Sequence, residues 1–443
     1  MAALSFEAAE RYVLQRQRFG MRPGLGRMEV LLKRLGHPER RLSVVHIAGT
    51  NGKGSTAALL AAALQAAGYR VGLYTSPYIV SFTERICIDG MQMPRDHFAA
   101  EVASLQPLVE MIDASALGPM TTFELITAVA LDYFSKQHLD VVVLEVGLGG
   151  RLDATNVVRP MLSIITNIGH DHMDVLGPTL GQVAYEKAGV VKSGVPLICG
   201  VELDEPARVI EAIAHRRHAS AYWVHRAYEA RMIESTLQGT TVDLTSCFGA
   251  IDNLFASLTG SYQVANIAAA AFAVQLLEKE GLERLNEDAL RHGFAQVQWP
   301  GRFEQLGTDP LVIVDGAHNP EGAMALRTAI LSLGEKGPLT LVVGVLEDKM
   351  LSPMLDALLP LADWIVATAP ASPRALPAQQ LAAAIRAKGQ RVTATCDRVE
   401  EAVAVAYNTL PAGGWMVVTG SLYTVAQARR FCLSKMRKGS RMC

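Results

Sequence analysis

An excess of charge of either sign is missing from this 443-residue chain: 41 Lys and Arg stand against 43 Asp and Glu, a formal net charge of −2 at pH 7. Nucleic-acid binding rests on many phosphate-neutralising cations, so a polyanionic partner is disfavoured. Cysteine is sparse as well. The six, at Cys87, Cys199, Cys247, Cys396, Cys432 and Cys443, have no paired spacing, which argues against a zinc cage or a disulfide framework and fits a reducing, cytoplasmic setting. No apolar run is long enough to span a bilayer, and the start, Met1 to Glu7, lacks a basic segment followed by an apolar core. There is no internal repeat and no low-complexity segment. These absences describe a soluble protein with no membrane partner. The basic tail, with Arg429, Arg430, Lys435, Arg437, Lys438 and Arg441, reads as a solvated terminal face.

What the chain does have is apolar mass, half of its residues, and a length beyond that of most single cores. Short apolar runs alternate with helix-like stretches. Val141 to Leu144, Leu162 to Ile165 and Pro196 to Ile198 are apolar on both faces, as parallel strands covered by helices are. From Val201 to Gly260 the pattern alternates more, suggesting a small antiparallel excursion. An alanine-rich helix follows Val264-Ala265-Asn266, and Trp299-Pro300-Gly301-Arg302-Phe303 then breaks the pattern. Beyond it, Leu311 to Val314, Leu339 to Val343, Trp364 to Ala367 and Trp415 to Val418 predict a second, smaller α/β unit. The boundary is placed at residues 298 and 299.

The most informative stretch is Val44 to Thr56. An apolar strand runs into Gly49-Thr50-Asn51-Gly52-Lys53-Gly54-Ser55, and an alanine-rich helix ends near Gly68, a C-cap signal. Glycines let backbone N–H groups turn towards phosphates, the helix N-terminus is positive, and Lys53 adds a point charge. ATP or GTP is the expected ligand. The common phosphate-loop pattern wants Gly at position 47 and Ser or Thr at position 54, where this chain has Ile47 and Gly54, so the usual magnesium-binding hydroxyl is displaced.

Other polar groups sit at predicted strand ends, where open α/β sheets bind ligands. Glu145, in Leu144 to Asp153, is placed to hold Mg²⁺ beside the phosphate loop; the alternative is an exposed strand-end acid. Gly169-His170-Asp171-His172-Met173-Asp174 lacks helical ligand spacing, and on its own reads better as structural or capping. Lys187, at a helix end, reads as complementing the dipole or as hydrated. Asp315-Gly316-Ala317-His318-Asn319-Pro320 follows a strand, with Arg302 near in sequence. It reads equally as a capped turn or as polar groups facing a nucleotide across an interdomain cleft.

Taken together, these segments resemble the folylpolyglutamate synthases and dihydrofolate synthases of the Mur ligase superfamily. The resemblance rests on Gly49 to Ser55, Tyr74-Thr75-Ser76-Pro77, Thr122-Phe123-Glu124, Leu144 to Asn156, Asp171-His172, Glu186-Lys187-Ala188-Gly189, Pro300 to Phe303 and Asp315 to Pro320, in the family's order. It implies an α/β fold: a P-loop domain (1–298) around a central, mostly parallel sheet, and a smaller Rossmann-like glutamate-ligase domain (299–443). It implies ATP-dependent amide formation between a folate-type carboxylate and L-glutamate through an acyl phosphate, by an expected monomer. Gly49, Thr50, Asn51, Gly52, Lys53, Gly54 and Ser55 would hold the phosphates, and Ser76, Glu145 and His172 would bind Mg²⁺, Ser76 supplying the missing hydroxyl. Lys187 matches a lysine carboxylated by CO₂ that helps to hold a second metal. Asn266, Arg302, Asp315 and His318 match ATP-contacting positions. The pterin-bearing substrate is expected near Arg22, in Gly20-Met21-Arg22-Pro23, near Thr122, Phe123 and Glu124, and near Leu152, Asp153 and Ala154. A cell-wall Mur ligase fits less well, because too few residues precede Gly49 for a UDP-binding domain. A nucleotide-switched binding module is the alternative of another class.

Overall fold

The computed structural model describes residues 4–20, 22–79, 81–334 and 337–437. Met21 of the segment before the phosphate loop, the first three residues, Lys438 and Arg441 of the tail, and Cys443 lie outside the described residues. Packing divides the chain into two units. One comprises Met1–Ala230, Leu244–Asp252 and Ala265–Gln296, the other Arg231–Asp243, Asn253–Val264 and Val297–Cys443.

The first unit is built on an eight-stranded sheet. In chain order its strands are β1 (Val44–Ala48), β2 (Val71–Tyr74), β3 (Ile86–Ile88), β4 (Met91–Gln92), β5 (Val141–Glu145), β6 (Leu162–Ile165), β7 (Leu197–Cys199) and β8 (Ala221–Trp223), in spatial order β4-β3-β2-β5-β1-β6-β7-β8. Only β3 and β4 run antiparallel to their neighbours. Every residue of β1, β5 and β6 is buried, which explains their mostly apolar runs, interrupted by His46 and Ser163. Because β1 pairs in parallel with both β5 and β6, the chain leaving it emerges between the ends of those two strands.

The helix after β1, Lys53–Ala66, stops where Gly68 takes φ +77 and Tyr69 N–H bonds Leu64 O at 3.1 Å, as the C-cap signal predicts. The helix Thr122–Ser135 begins with a reciprocal capping box: Glu124 N–H donates to Thr121 Oγ1, and Glu124 Oε2 accepts from Thr121 N–H. The helix Glu287–Gln296 crosses the phosphate-loop helix so closely that a Cβ on Gly293 would lie 2.6 Å from the Ala62 backbone.

The antiparallel excursion is shorter than the sequence suggests. Val201 to Gly260 opens with the helix Asp204–Arg216 and with β8, which extends the main sheet, because their apolar spacing is helical and parallel-strand in turn. Only then come β9 (Tyr228–Thr236), β10 (Gly239–Ser246) and β11 (Gly249–Ala256), a sheet of their own with order β11-β10-β9.

The second unit holds a six-stranded sheet of β12 (Glu304–Thr308), β13 (Leu311–Val314), β14 (Leu339–Val343), β15 (Trp364–Thr368), β16 (Ala394–Cys396) and β17 (Trp415–Thr419), in order β12-β13-β17-β14-β15-β16. Four strands are those the sequence predicts. The edge strands β12 and β16 lack a fully apolar run, being only half-buried, and so were silent. The tail is a helix, Leu422–Arg437. Its Arg429 is not simply solvated, since Nε pairs with Glu304 at 2.9 Å.

Phe134, wholly buried on the helix Thr122–Ser135, packs against β2 at Gly72. Phe134→Ala is expected to destabilise the first unit by about 3–5 kcal/mol, read as a lower urea midpoint with no new ordered state.

Candidate active site

Between β1 and its helix, the loop turns on two glycines in backbone conformations that side chains resist, Gly49 at φ +149 and Gly52 at φ +82. A Cβ on Gly49 would fall 1.9 Å from Thr166 Oγ1, and one on Gly52 would fall 2.1 Å from Asn266 Oδ1. The loop is therefore pressed against the end of β6 on one side and against Asn266 on the other. Asn266 lies inside the first turn of the helix Gln263–Lys279, not ahead of it as the sequence reading had it, because the alanine-rich period already begins at Gln263.

Hydrogen bonds lace the loop to the chain after β6. Thr50 N–H donates to Asn167 O at 3.1 Å, Asn51 N–H to Asn167 Oδ1 at 2.8 Å, and Thr166 Oγ1 to Asn51 O at 2.6 Å. Thr166 and Asn167 are site residues that the sequence reading passed over. Their signal was a polar pair closing an apolar strand.

Two lysines meet at one oxygen. Lys53 Nζ donates to Gly49 O and to Thr50 O, both at 3.1 Å, and Lys187 Nζ donates to the same Gly49 O at 2.9 Å. Lys187 ends the helix Leu180–Lys187 and is only 5% exposed, so the reading of it as a hydrated, dipole-complementing lysine is overturned. Gly150 makes that burial possible: a Cβ there would lie 2.6 Å from Lys187 O. Burial first, and the nearby Lys53 ammonium second, push the Lys187 amine down to about 7.

Glu145, at the end of β5, is buried at 4% exposure, which overturns the exposed-acid alternative, and its Oε2 accepts from Ser76 N–H at 3.0 Å. Ser76 and Glu145 thus share one spot at the ends of two adjacent strands. His172 stands at the N-cap of the short helix Met173–Leu176 with φ +52. Its N–H is held by Asp171 Oδ1 at 3.0 Å, and its side chain does not cap the helix as one reading expected. Among the described residues no cluster of three or more His, Cys, Asp or Glu is arranged to hold a metal, and the expected ligand set mixes such groups with a hydroxyl and a lysine.

The segments expected to meet the pterin also cluster. Phe123 places its ring where a Cβ on Gly147 would stand, 2.4 Å from Cζ, so that the helix start abuts the loop after Glu145. Thr122 Oγ1 donates to Val13 O at 3.1 Å, and Arg22 lies against Gly118. Half-buried Leu152 and buried Ala154 flank Asp153, whose carboxylate accepts from Leu148 N–H at 2.8 Å, Thr155 N–H at 3.0 Å and Thr155 Oγ1 at 2.5 Å. Burial still raises its acid above the ordinary Asp range.

In the second unit, Asp315 follows β13 and is wholly enclosed. It accepts from Phe303 N–H at 2.8 Å, Ala317 N–H at 2.9 Å and Tyr262 Oη at 3.1 Å. Burial raises its acid, with the Arg302 guanidinium opposing. His318 Nδ1 lies 2.8 Å from Gly316 O, and a carbonyl only accepts, so Nδ1 carries the proton. Asn319 caps the helix Pro320–Ser332. Arg302, Asp315 and His318 therefore belong to one turn cluster that includes Tyr262, a partner no motif announced.

Residues 47–274 match the Mur ligase middle domain, and residues 301–422 the Mur ligase glutamate ligase domain. The dihydrofolate synthase/folylpolyglutamate synthase of Bacillus subtilis is 37% identical over 427 residues, 96% of this chain and 99% of that protein. The chain belongs to the folylpolyglutamate synthase and dihydrofolate synthase family. Members of that family are ATP-dependent glutamate ligases, and this chain is a ligase of that kind. Its fold is similar to that of the Mycobacterium tuberculosis folylpolyglutamate synthase complexed with ADP, with a TM-score of 0.90 and 34% identity across 96% of this chain and 98% of the other. The Escherichia coli FolC structure with DHPP and ADP gives a TM-score of 0.86 and 32% identity, covering 97% and 98%.

Glu145→Gln is expected to lower turnover by orders of magnitude while circular dichroism and Tm stay near wild type; a variant of near-normal rate rules out a metal role for Glu145.

Proposed function

We propose that this chain joins the amine of L-glutamate to the carboxylate of a folate-type acid, dihydropteroate, tetrahydrofolate or both, while converting ATP to ADP and phosphate. The observation that carries the reading is the meeting of Lys53 and Lys187 on the Gly49 carbonyl, within a glycine loop beside the strand ending in Glu145. The relatives bound to ADP and to DHPP support ATP and a pterin acid as substrates here.

A carboxylate is a poor acyl donor. One of its oxygens attacks the γ-phosphorus of ATP, the bond to the ADP oxygen breaks, and Lys53 with the loop N–H groups stabilises the charge on the transferred phosphoryl group. The glutamate amine then attacks the activated carbonyl carbon, the nitrogen loses its proton, and phosphate departs. Gly49 to Ser55 and Asn266 are assigned to ATP, as are Arg302, Asp315 and His318 of the second unit. Arg22, Thr122 to Glu124 and Leu152 to Ala154 are assigned to the pterin acid. Residues 1–298 serve as the P-loop domain and 299–443 as the glutamate-ligase domain.

The residues suit a hard cation. Glu145 holds a carboxylate beside Ser76, whose backbone N–H it accepts; with the Ser76 hydroxyl as a second oxygen, the chemistry Mg²⁺ prefers, and with His172, they make up the proposed set. Bound there, the ion would neutralise phosphate charge. Lys187 is proposed to react with CO₂, its amine nitrogen bonding to the carbon and releasing a proton, and the carbamate would serve a second metal. A monomer is expected from the resemblance and a cytoplasmic setting from the unpaired cysteine spacing, while the near-neutral charge argues against nucleic-acid partners; among the described residues no helix is long and apolar enough to cross a membrane.

ADP formation measured with dihydropteroate, with tetrahydrofolate and with neither is expected to require glutamate and at least one of the two acids. ADP and phosphate release that ignores both would identify a nucleotide switch instead. CO₂ adds only to an unprotonated amine. With ¹³C-labelled CO₂, a carbamate resonance is expected to grow as pH rises through about 7 and to be missing in Lys187→Met; no signal in the wild type would remove the modification.

A further inference from the structure

Arg27 is the second residue of the helix Gly26–Arg34, and its guanidinium is used on every side. Nε donates to Glu124 Oε1 at 2.8 Å, Nη1 to Leu117 O at 3.3 Å and Nη2 to Arg22 O at 2.5 Å. The pair is enclosed, the Arg27 side chain 11% exposed and that of Glu124 5%. Two stretches remote in sequence, Arg22 to Arg27 and Leu117 to Glu124, are therefore tied by one planar cation. The other Glu124 oxygen, Oε2, takes the Thr121 N–H at 2.7 Å, so the same acid that caps the helix also receives Arg27. The residue before it, Phe123, abuts Gly147 in the loop after Glu145, and Arg22 rests on Gly118, a position at φ +72.

We propose that Arg27 is a positioning residue for the pterin-bearing acid, setting Arg22 and Phe123 in register with the Glu145 loop. The inference rests on the reading of those segments as the folate-side site. Arg27 itself points inward to Glu124 and to backbone carbonyls; its effect on the substrate passes through the segments it ties. Lysine cannot replace it, because an ammonium on a flexible stem lacks the fixed fork that reaches three acceptors at once. Glu124→Gln separates scaffold from position: glutamine still completes a capping box, yet it removes the charge that Arg27 faces.

The test is steady-state kinetics on the full chain with each substrate varied in turn, together with Tm, for wild type, Arg27→Lys, Arg27→Ala and Glu124→Gln. KM for the folate-type acid is expected to rise tenfold or more in all three variants, with KM for ATP and for glutamate within about twofold of wild type. Guanidinium ion at millimolar concentration is expected to recover part of the loss in Arg27→Ala and none in Glu124→Gln. If KM for the acid stays within twofold, or all three KM values rise together with a fall in Tm, the inference is overturned. Should Arg27→Ala fail to fold, Arg27→Lys decides by the same split, since Glu124 is itself assigned to the acid. A wild type that turns over no folate-type acid would instead defeat the functional reading on which the inference stands.

Discussion

The Gly49 carbonyl receives two amines, and the chemistry of the first unit follows from that crowding. Two ammonium groups around one oxygen, away from bulk water, repel each other, and the repulsion is relieved when one of them gives up its proton. Burial decides which. Lys53 is half-buried and keeps contact with its own loop, whereas Lys187 is almost fully enclosed and its amine is pushed down to about 7. Burial therefore singles out Lys187 as the amine that loses its proton more readily than an ordinary lysine.

That geometry depends on sheet order. With β1 between β5 and β6, the phosphate loop, the Glu145 carboxylate and the Thr166-Asn167 corner all arise at the same sheet edge. Parallel pairing aligns the carboxyl ends of the strands, so each polar residue that ends an apolar run arrives at that edge without further instruction. Glycine sets how closely the pieces can approach. Gly49 against Thr166, Gly52 against Asn266 and Gly150 against the Lys187 backbone are contacts that any side chain would close off.

Much of this was readable in the chain. The parallel strands with mostly apolar runs, the phosphate loop and its helix, and the cap at Gly68 are local patterns, and local physics produces them. Half-buried edge strands such as β12 and β16 carry no such pattern. The fate of Lys187 was beyond residue-by-residue reading because its burial depends on Gly150, distant in sequence and near only after folding. Resemblance alone assigned it a role; the geometry shows its burial and its bond to Gly49 O. Tyr262 beside Asp315, and Arg27 beside Glu124, share that character: their partners lie 53 and 97 residues away, and no spacing rule connects them.

Motif acids also divide into two kinds that sequence does not separate. Asp153, Glu124 and Asp315 each gather two or more donors from their own chain and so help to fix the turn they occupy. Turn N–H groups carry partial positive charge and cluster where strands end, which is why a carboxylate serves there. For Asp153 and Asp315, burial outweighs those donors and the acid lies above its ordinary range. A raised folded value means that the native state holds the proton more tightly than the unfolded chain does. Stability from these two groups is therefore present at low pH and declines as pH climbs from the ordinary Asp range through the raised one. At neutral pH the protein carries both acids at a cost to its fold, and what the cost secures is the shape of the loops beside Glu145 and Arg302.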